Sequence, residues 1–126
     1  MPWLSERVLG ELVDFARGTQ RADEKFSRYV EDSRTLRSMA LAAAAKCKNW
    51  AGEIEKFVEC VEKELAEDIY KRLESPEFWK VLSAELNEPP EELAYTIGSF
   101  LLSKDIYVSP VDLAERVREI LGIRGF

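Results

Sequence analysis

Apolar residues recur at helical spacing along almost the whole chain. The longest pattern advances in alternating steps of three and four residues, the spacing of a heptad repeat. Its eleven members, which we call the heptad seam, are Phe26, Tyr29, Ser33, Leu36, Ala40, Ala43, Cys47, Trp50, Ile54, Phe57 and Val61. The apolar positions then drift to Leu65, Ile69 and Leu73, as in a straight helix with about 3.6 residues per turn. The seam therefore predicts helix from Thr19 or Asp23 onward.

Two architectures fit this pattern. Asn49 and Gly52 can form a turn between two antiparallel helices, which gives a compact bundle. Alternatively, one helix of about 50 residues runs unbroken for about 75 Å and needs a partner to cover it. A glycine inside a helix costs only about 1 kcal/mol, so Gly52 does not decide between them. We favour the break, because such long helices are rare in globular domains.

Capping residues delimit further helices at both ends of the chain. Ser5 begins a predicted first helix that ends at Gly18. Its apolar face holds Leu4, Val8, Leu12 and Phe15. Later helices are predicted to begin at Ser75-Pro76, Pro89-Pro90 and Ser109-Pro110, and the last to end at Gly122. Their predicted inward residues are Phe78, Val81, Leu82 and Leu86; Leu93, Ile97, Phe100 and Leu101; and Leu113, Val117, Ile120 and Leu121.

The sequence thus predicts one all-α domain over residues 1–126, a bundle of five or six helices with or without one long central helix. Ile106–Val108 is the only strand-like run, and three residues do not make a sheet. Val108–Val117 faintly resembles part of a helix-turn-helix. A DNA reader, however, needs a basic recognition helix, and this half of the chain is acidic.

Composition removes several classes of chemistry. Histidine is absent from the 126 residues, which excludes Ser-His and Cys-His catalysis, histidine-ligated metals and histidine pH switches. The chain has neither an apolar leader nor an uncharged run of about 18 residues, so we expect a cytoplasmic protein without a membrane segment. Cys47 and Cys60 are accordingly expected to be reduced, buried thiols. One glutamine, two asparagines and many charged residues give a thermophile-like composition.

Charge is unevenly distributed along the chain. The net charge is −6, yet eight basic residues face only four acidic ones between Arg17 and Lys48. We expect a basic stripe to contact phosphates or an acidic partner; it consists of Arg17, Arg21, Lys25, Arg28, Arg34 and Arg37. Tyr29 and Trp50 at the edge of the seam are the candidates for stacking on bases. Acidic neighbours such as Glu24 weaken the nucleic-acid interpretation.

No recognised catalytic or cofactor motif is present. The six glycines form no phosphate-binding loop, and no serine lies in a nucleophile motif. Glu64 and Glu67 make an E-x-x-E pair, with Glu88 and Glu91 or Glu92 as a distant second pair. Glu55, Glu59 and Glu62 are expected to point to water. We therefore predict no catalytic residue, no metal and no cofactor.

The sequence predicts a non-catalytic helical interaction protein, which acts as an accessory or adaptor subunit of a larger assembly. A nucleoprotein complex is one such assembly. It implies a protein partner or self-association, and no small-molecule substrate is evident. One alternative is a small protein that binds single-stranded nucleic acid through the basic half. A helical carboxylate–metal enzyme is the third hypothesis, and it requires bound Mg²⁺ or Mn²⁺.

Overall fold

A computed structural model describes residues 24–122, and within them the chain is all-α with no strand. The helices are α1 (Glu24–Asp32), α2 (Arg34–Lys46), α3 (Ile54–Lys71), α4 (Pro76–Leu86), α5 (Pro90–Ser103) and α6 (Pro110–Leu121), with a short 3₁₀ turn at Lys48–Trp50. The predicted all-helical fold is confirmed. The predicted first helix with its cap Ser5, and the last four residues, lie outside the described range.

Serine and proline residues mark the helix starts. The hydroxyls of Ser75 and Ser109 accept hydrogen bonds from Phe78 N and Asp112 N, both at 3.3 Å, which confirms these two predicted caps. At the far end, Gly122 closes α6 with φ +68°, a left-handed conformation that glycine adopts without strain. These local signals fix the boundaries of the C-terminal helices.

Ser33 corrects the continuous helix expected across the heptad seam. α1 ends at Asp32, and Ser33 caps α2 by accepting a hydrogen bond from Leu36 N at 3.1 Å. A serine side chain competes for backbone donors and favours such caps over a helix interior. The same hydroxyl donates to Glu85 Oε1 at 2.7 Å, so the break between α1 and α2 is tied to α4.

α5 lies at the centre of the bundle, in contact with α1, α3, α4 and α6. Its predicted inward residues Leu93, Ile97 and Leu101 are fully buried. Phe100 stacks on Phe26 of α1 with ring centroids 3.8 Å apart. At Gly98 the last two helices come very close, because a Cβ there would lie 2.9 Å from Pro110 Cα.

α2 and α3 form an antiparallel hairpin, which confirms the predicted break near Asn49 and Gly52. Small side chains on α2, including Ala40, Ala43 and Ala44, are buried against the apolar face of α3. Nine of the eleven seam residues are buried. The exceptions are Trp50 and Ile54, both at the end of the hairpin where the chain reverses.

Trp79 is the main core residue that sequence reasoning missed. The predicted inward face of α4 names its neighbour Phe78 but not Trp79, which is fully buried. Its indole Nε1 donates to Leu73 O at 2.8 Å, so the polar end of the ring is satisfied in the core. The apolar spacing of this helix is already satisfied by Phe78, so it does not indicate that the adjacent Trp79 is also buried.

Glu62 does not point to water as expected. Its carboxylate lies 3.2 Å from Lys104 Nζ, and both side chains are about 85% buried, which joins α3 to the end of α5. Glu55 and Glu59 are exposed, as predicted. Among the helices of residues 24–122, none has the length and apolar character needed to cross a membrane.

Candidate functional site

The connection between α2 and α3 is the most exposed ordered part of the described chain. We call residues 47–56 the hairpin tip. Every residue from 48 to 56 is solvent-exposed, whereas Cys47 at its base is buried. The tip therefore projects beyond the core and contributes no side chain of its own to the core except Cys47.

A disulfide joins Cys47 to Cys60, with the two Cα atoms 5.9 Å apart, and this corrects the predicted reduced thiols. A tight turn at Gly52 would place Cys47 opposite residues 54–57. Instead α2 ends at Lys46 and α3 begins only at Ile54, so the connection is long enough to place Cys47 opposite the second turn of α3. The distance between Cα atoms is in the usual range for a disulfide.

Short backbone hydrogen bonds shape the chain above the disulfide. Trp50 N donates to Cys47 O at 3.0 Å, and Ala51 N donates to Lys48 O at 3.1 Å. Glu53 N then donates to Trp50 O at 2.8 Å, immediately before α3 begins. These bonds lie in solvent-exposed chain, so they supply shape but little stability of their own.

Two large apolar side chains stand on this tip. Trp50 is 42% exposed and Ile54 is 50% exposed. Lys56 Nζ lies 5.0 Å from the centre of the Trp50 ring, a cation–π contact that favours this orientation of the ring by about 0.5–1 kcal/mol at an exposed site. The tip is thus the one place where the heptad seam presents apolar side chains to solvent.

Charge around Trp50 is locally positive on an acidic protein. Residues 46–56 contain three lysines and two glutamates, while the whole chain carries −6. Lys46 pairs with Glu64 at 3.8 Å, and Lys56 pairs with Glu53 at 3.6 Å. Lys48 makes no ion pair with any residue of the described range 24–122.

The basic stripe is largely paired with the protein's own oxygens. Lys25 lies 4.0 Å from Glu92, and Arg28 lies 3.5 Å from Glu24. Arg37 donates to the backbone carbonyl of Glu31, and the charge of Arg34 acts on Glu85. Arg17 and Arg21 lie outside the described residues. The described part of the stripe is a mixed-charge surface rather than a continuous positive one.

Tyr29, one of the two stacking candidates, is buried in the core at 4% exposure. Its hydroxyl donates to Glu88 Oε2 at 2.5 Å. Burial, reinforced by the hydrogen bond to Glu88, raises the pKa of the Tyr29 phenol above its ordinary value. The ring is therefore not presented to a ligand, and Trp50 alone of the two offers an exposed surface.

Glu85 organises the junction between α1 and α2. Besides Ser33, its carboxylate accepts hydrogen bonds from Thr35 N and the Thr35 hydroxyl, both at 3.0 Å. Desolvation works against the charged form, but these hydrogen bonds and the charge of Arg34 outweigh it and lower the pKa of Glu85. Glu85 thus serves as a structural link between α4 and the start of α2.

The carboxylates considered for a metal are dispersed. Within the described residues no group of three or more Asp, Glu or Cys side chains converges on a common point. Glu64 is engaged with Lys46, and Glu88 with Tyr29. Comparison with protein-family models, with curated proteins and with solved structures finds no match for this chain.

Proposed function

We propose that this protein is a non-catalytic helical interaction module, an accessory or adaptor subunit that contacts a protein partner through the hairpin tip. The observation that carries the proposal is Trp50, exposed beside Ile54 on a tip that is stapled by a disulfide. The partner surface that fits the tip has an apolar pocket for the indole and an acidic rim.

Tryptophan is among the residues most enriched at the energetic centres of protein interfaces. An aromatic ring on a held backbone loses little conformational entropy on binding, which favours affinity. The contact from Lys56 and the nearby disulfide both restrict Trp50 before any partner arrives. Ile54 extends the apolar surface beside it.

Charge supports an acidic partner. Lys48 is exposed next to Trp50 and has no ion-pair partner within residues 24–122, so its charge is free to act across an interface. Lys46 and Lys56 flank the same surface in weak, exposed ion pairs that can rearrange. Complementary charge at such a rim speeds association and selects among partners.

Binding of single-stranded nucleic acid remains the alternative, because an exposed tryptophan near lysines also suits base stacking. The described basic stripe gives it less support, since Lys25 and Arg28 are each paired with a glutamate. An acidic protein rim would also have to displace Glu64 and Glu53 from the tip lysines, so we prefer the protein partner because of the exposed apolar pair Trp50 and Ile54 rather than because of the ion pairs.

We also propose a cytoplasmic location in a thermophilic organism. Disulfides are rare in the cytosol of mesophiles but common in intracellular proteins of hyperthermophiles. A thermophilic source therefore accounts both for the composition and for the Cys47–Cys60 disulfide in a cytoplasmic protein. A melting midpoint above about 90 °C is expected, and one near 50 °C would contradict the proposal.

The test compares two exposed aromatic residues on the hairpin. The variants are Trp50→Ala and, as a matched control, Tyr70→Ala, since Tyr70 is 54% exposed at the opposite end of α3. Each variant and the wild type capture partners from cells of the source organism. The captured protein is then purified, and its affinity for each variant is measured by isothermal titration calorimetry.

We expect Trp50→Ala to weaken binding about thirtyfold, since truncation of a hot-spot residue costs about 2 kcal/mol or more. Tyr70→Ala should leave the affinity within about twofold of wild type. Equal affinity of wild type and Trp50→Ala would overturn the assignment of the tip. Salt-sensitive binding of single-stranded oligonucleotides that is lost in Trp50→Ala would replace the protein partner with nucleic acid.

A further inference from the structure

We infer that the Cys47–Cys60 disulfide is a redox control on the hairpin tip, which is competent for binding when the disulfide is formed and loses its order when the disulfide is reduced. This inference rests on the proposed function for its consequence. Its physical basis is independent of any partner.

The tip has no other strong attachment to the fold. No residue from 48 to 56 is buried, and the two large apolar side chains there, Trp50 and Ile54, remain 42% and 50% exposed, so burial of apolar surface fixes the tip less firmly than it fixes the helices. Between Lys48 and Glu53 the backbone hydrogen bonds join groups within the tip itself, and at its two ends Cys47 N donates to Ala44 O and Phe57 N donates to Glu53 O. Segments with few buried contacts open locally at a lower free-energy cost than the core of the same protein.

The disulfide closes the tip as a loop. Thirteen positions separate Cys47 from Cys60, and a cross-link over that span removes much of the conformational freedom of the open chain. Cys47 is 1% exposed at the C-terminus of α2, and Cys60 packs against the same core on α3. The cross-link therefore anchors the exposed tip to two helices that are held by burial.

The two sulfurs differ in access. As residues, Cys60 is only partly buried and Cys47 is 1% exposed, so we expect exchange with an external reagent to begin at Cys60 Sγ. A thiolate of a dithiol reductant attacks Cys60 Sγ, forms a mixed disulfide and releases the Cys47 thiolate, which takes up a proton. The second thiolate of the reductant then attacks the reductant sulfur in the mixed disulfide. Cys60 leaves as a thiolate and takes up a proton. The dithiol is oxidised to a disulfide, and two cysteine thiols are formed.

Reduction is expected to act locally because burial holds the rest of the hairpin. Met39 and Ala43 on α2 and Phe57 and Val61 on α3 are all buried in the core, and the two helices are in contact, so we expect them to stay together when the sulfurs are no longer joined. Only the exposed segment above them gains freedom. Trp50 then samples many orientations, and a partner that requires one of them binds more weakly.

Hydrogen exchange of the full chain, oxidised and fully reduced under nitrogen, tests the inference without a partner. We expect the amides of Trp50, Ala51 and Glu53 to exchange about tenfold or more faster in the reduced protein. Amides of α5 that exchange by local opening should exchange at rates within about twofold of each other in the two forms. Amides of α5 that exchange by global unfolding report the overall loss of stability on removal of the cross-link and are left out of the comparison. The variant Cys47→Ala/Cys60→Ala should reproduce the reduced pattern with no reductant present.

Either of two results would overturn the redox control. One is identical exchange of the tip amides in the oxidised and reduced forms. The other is equal acceleration in the tip and in α5, which means that reduction loosens the whole fold rather than the tip. The double alanine variant distinguishes an effect of the lost cross-link from an effect of the reductant.

Affinity for the captured partner separates this inference from the proposed function. If Trp50→Ala weakens binding about thirtyfold and reduction weakens wild-type binding about tenfold, both hold. If Trp50→Ala weakens binding by that factor but the reduced protein binds as tightly as the oxidised one, the redox control is wrong and the proposed contact survives. If Trp50→Ala binds normally, the proposed contact is wrong whatever hydrogen exchange shows.

Discussion

Trp79 and Trp50 show how differently this chain uses the same side chain. Trp79 is fully buried and donates its indole hydrogen bond to Leu73 O, within a core to which all six helices contribute. Trp50 is 42% exposed on a tip where no neighbour from 48 to 56 is buried. The first region is held by burial, and the second by a disulfide and exposed backbone hydrogen bonds.

This difference indicates where stability and contact each reside. A core tryptophan contributes to folding through its buried area and cannot meet a partner. An exposed one contributes less to folding, and its apolar surface is accessible for the contact that we propose. The contrast predicts that substitutions in the two regions separate stability from binding.

Trp79→Ala should have the largest effect. We expect a loss of about 3–5 kcal/mol in the free energy of unfolding, because the substitution leaves a large cavity in the core. It also leaves the Leu73 carbonyl without its indole donor. Chemical denaturation followed by circular dichroism measures the change. Trp50→Ala is expected to change the free energy of unfolding by less than about 1 kcal/mol. Equal destabilisation by the two substitutions would contradict the contrast between the two tryptophans.

Glu85→Ala should fall between these extremes, because polar contacts rather than burial hold the junction of α1 and α2. Its removal leaves the buried Ser33 hydroxyl without an acceptor, and we expect a loss of about 1–3 kcal/mol at pH 7. Folding lowers the pKa of Glu85, so its contribution is complete above the ordinary value of 4.5.

That contribution is lost as the pH falls through the lowered pKa, where protonation of Glu85 weakens the hydrogen bonds that it accepts. The stability difference between wild type and Glu85→Ala should therefore shrink between pH 5 and pH 3, as ~1.4 kcal/mol corresponds to each unit of pKa shift. Urea denaturation at a series of pH values measures it. A difference that is constant over this range would show that the carboxylate is not held in its charged form.

Gly52→Ala should have the smallest effect and the opposite sign. A Cβ at Gly52 meets no atom within 4 Å, and its backbone does not require a positive φ. The substitution should stabilise the protein by about 0.4–1 kcal/mol by reducing the freedom of the unfolded chain. It should also slow hydrogen exchange of the tip in the reduced protein. Faster exchange there would mean that the tip needs glycine for its conformation.

Local signals in the sequence suffice for most of the fold. Ser75, Ser109 and Gly122 cap helices as predicted, because a cap depends on a few neighbouring residues. The heptad seam continues on both sides of Ser33 and therefore predicts a helix interior there, whereas the folded chain uses Ser33 as a cap whose hydroxyl also contacts Glu85 on α4. Trp79 escaped prediction because its burial depends on helices distant in sequence.

The candidate site was only half visible in the sequence. Trp50 was singled out, but as a stacking residue on the seam beside Tyr29, which the structure buries. The disulfide was missed because its formation depends on the length of the connection from Cys47 to Ile54, which periodicity does not report. Trp50 and Ile54 are exposed because the chain reverses direction there, and the apolar spacing of the two helices does not show where that reversal lies.

Site-specific photo-crosslinking tests the central claim most directly. A benzophenone amino acid is incorporated at Ile54 on the tip or, in a separate protein, at Tyr70 at the far end of α3. Both positions are at least half exposed, so the reagent is equally accessible at each. The account predicts that the purified partner crosslinks at Ile54 and not at Tyr70. Crosslinking at Tyr70 alone, or to the same extent at both positions, would contradict it.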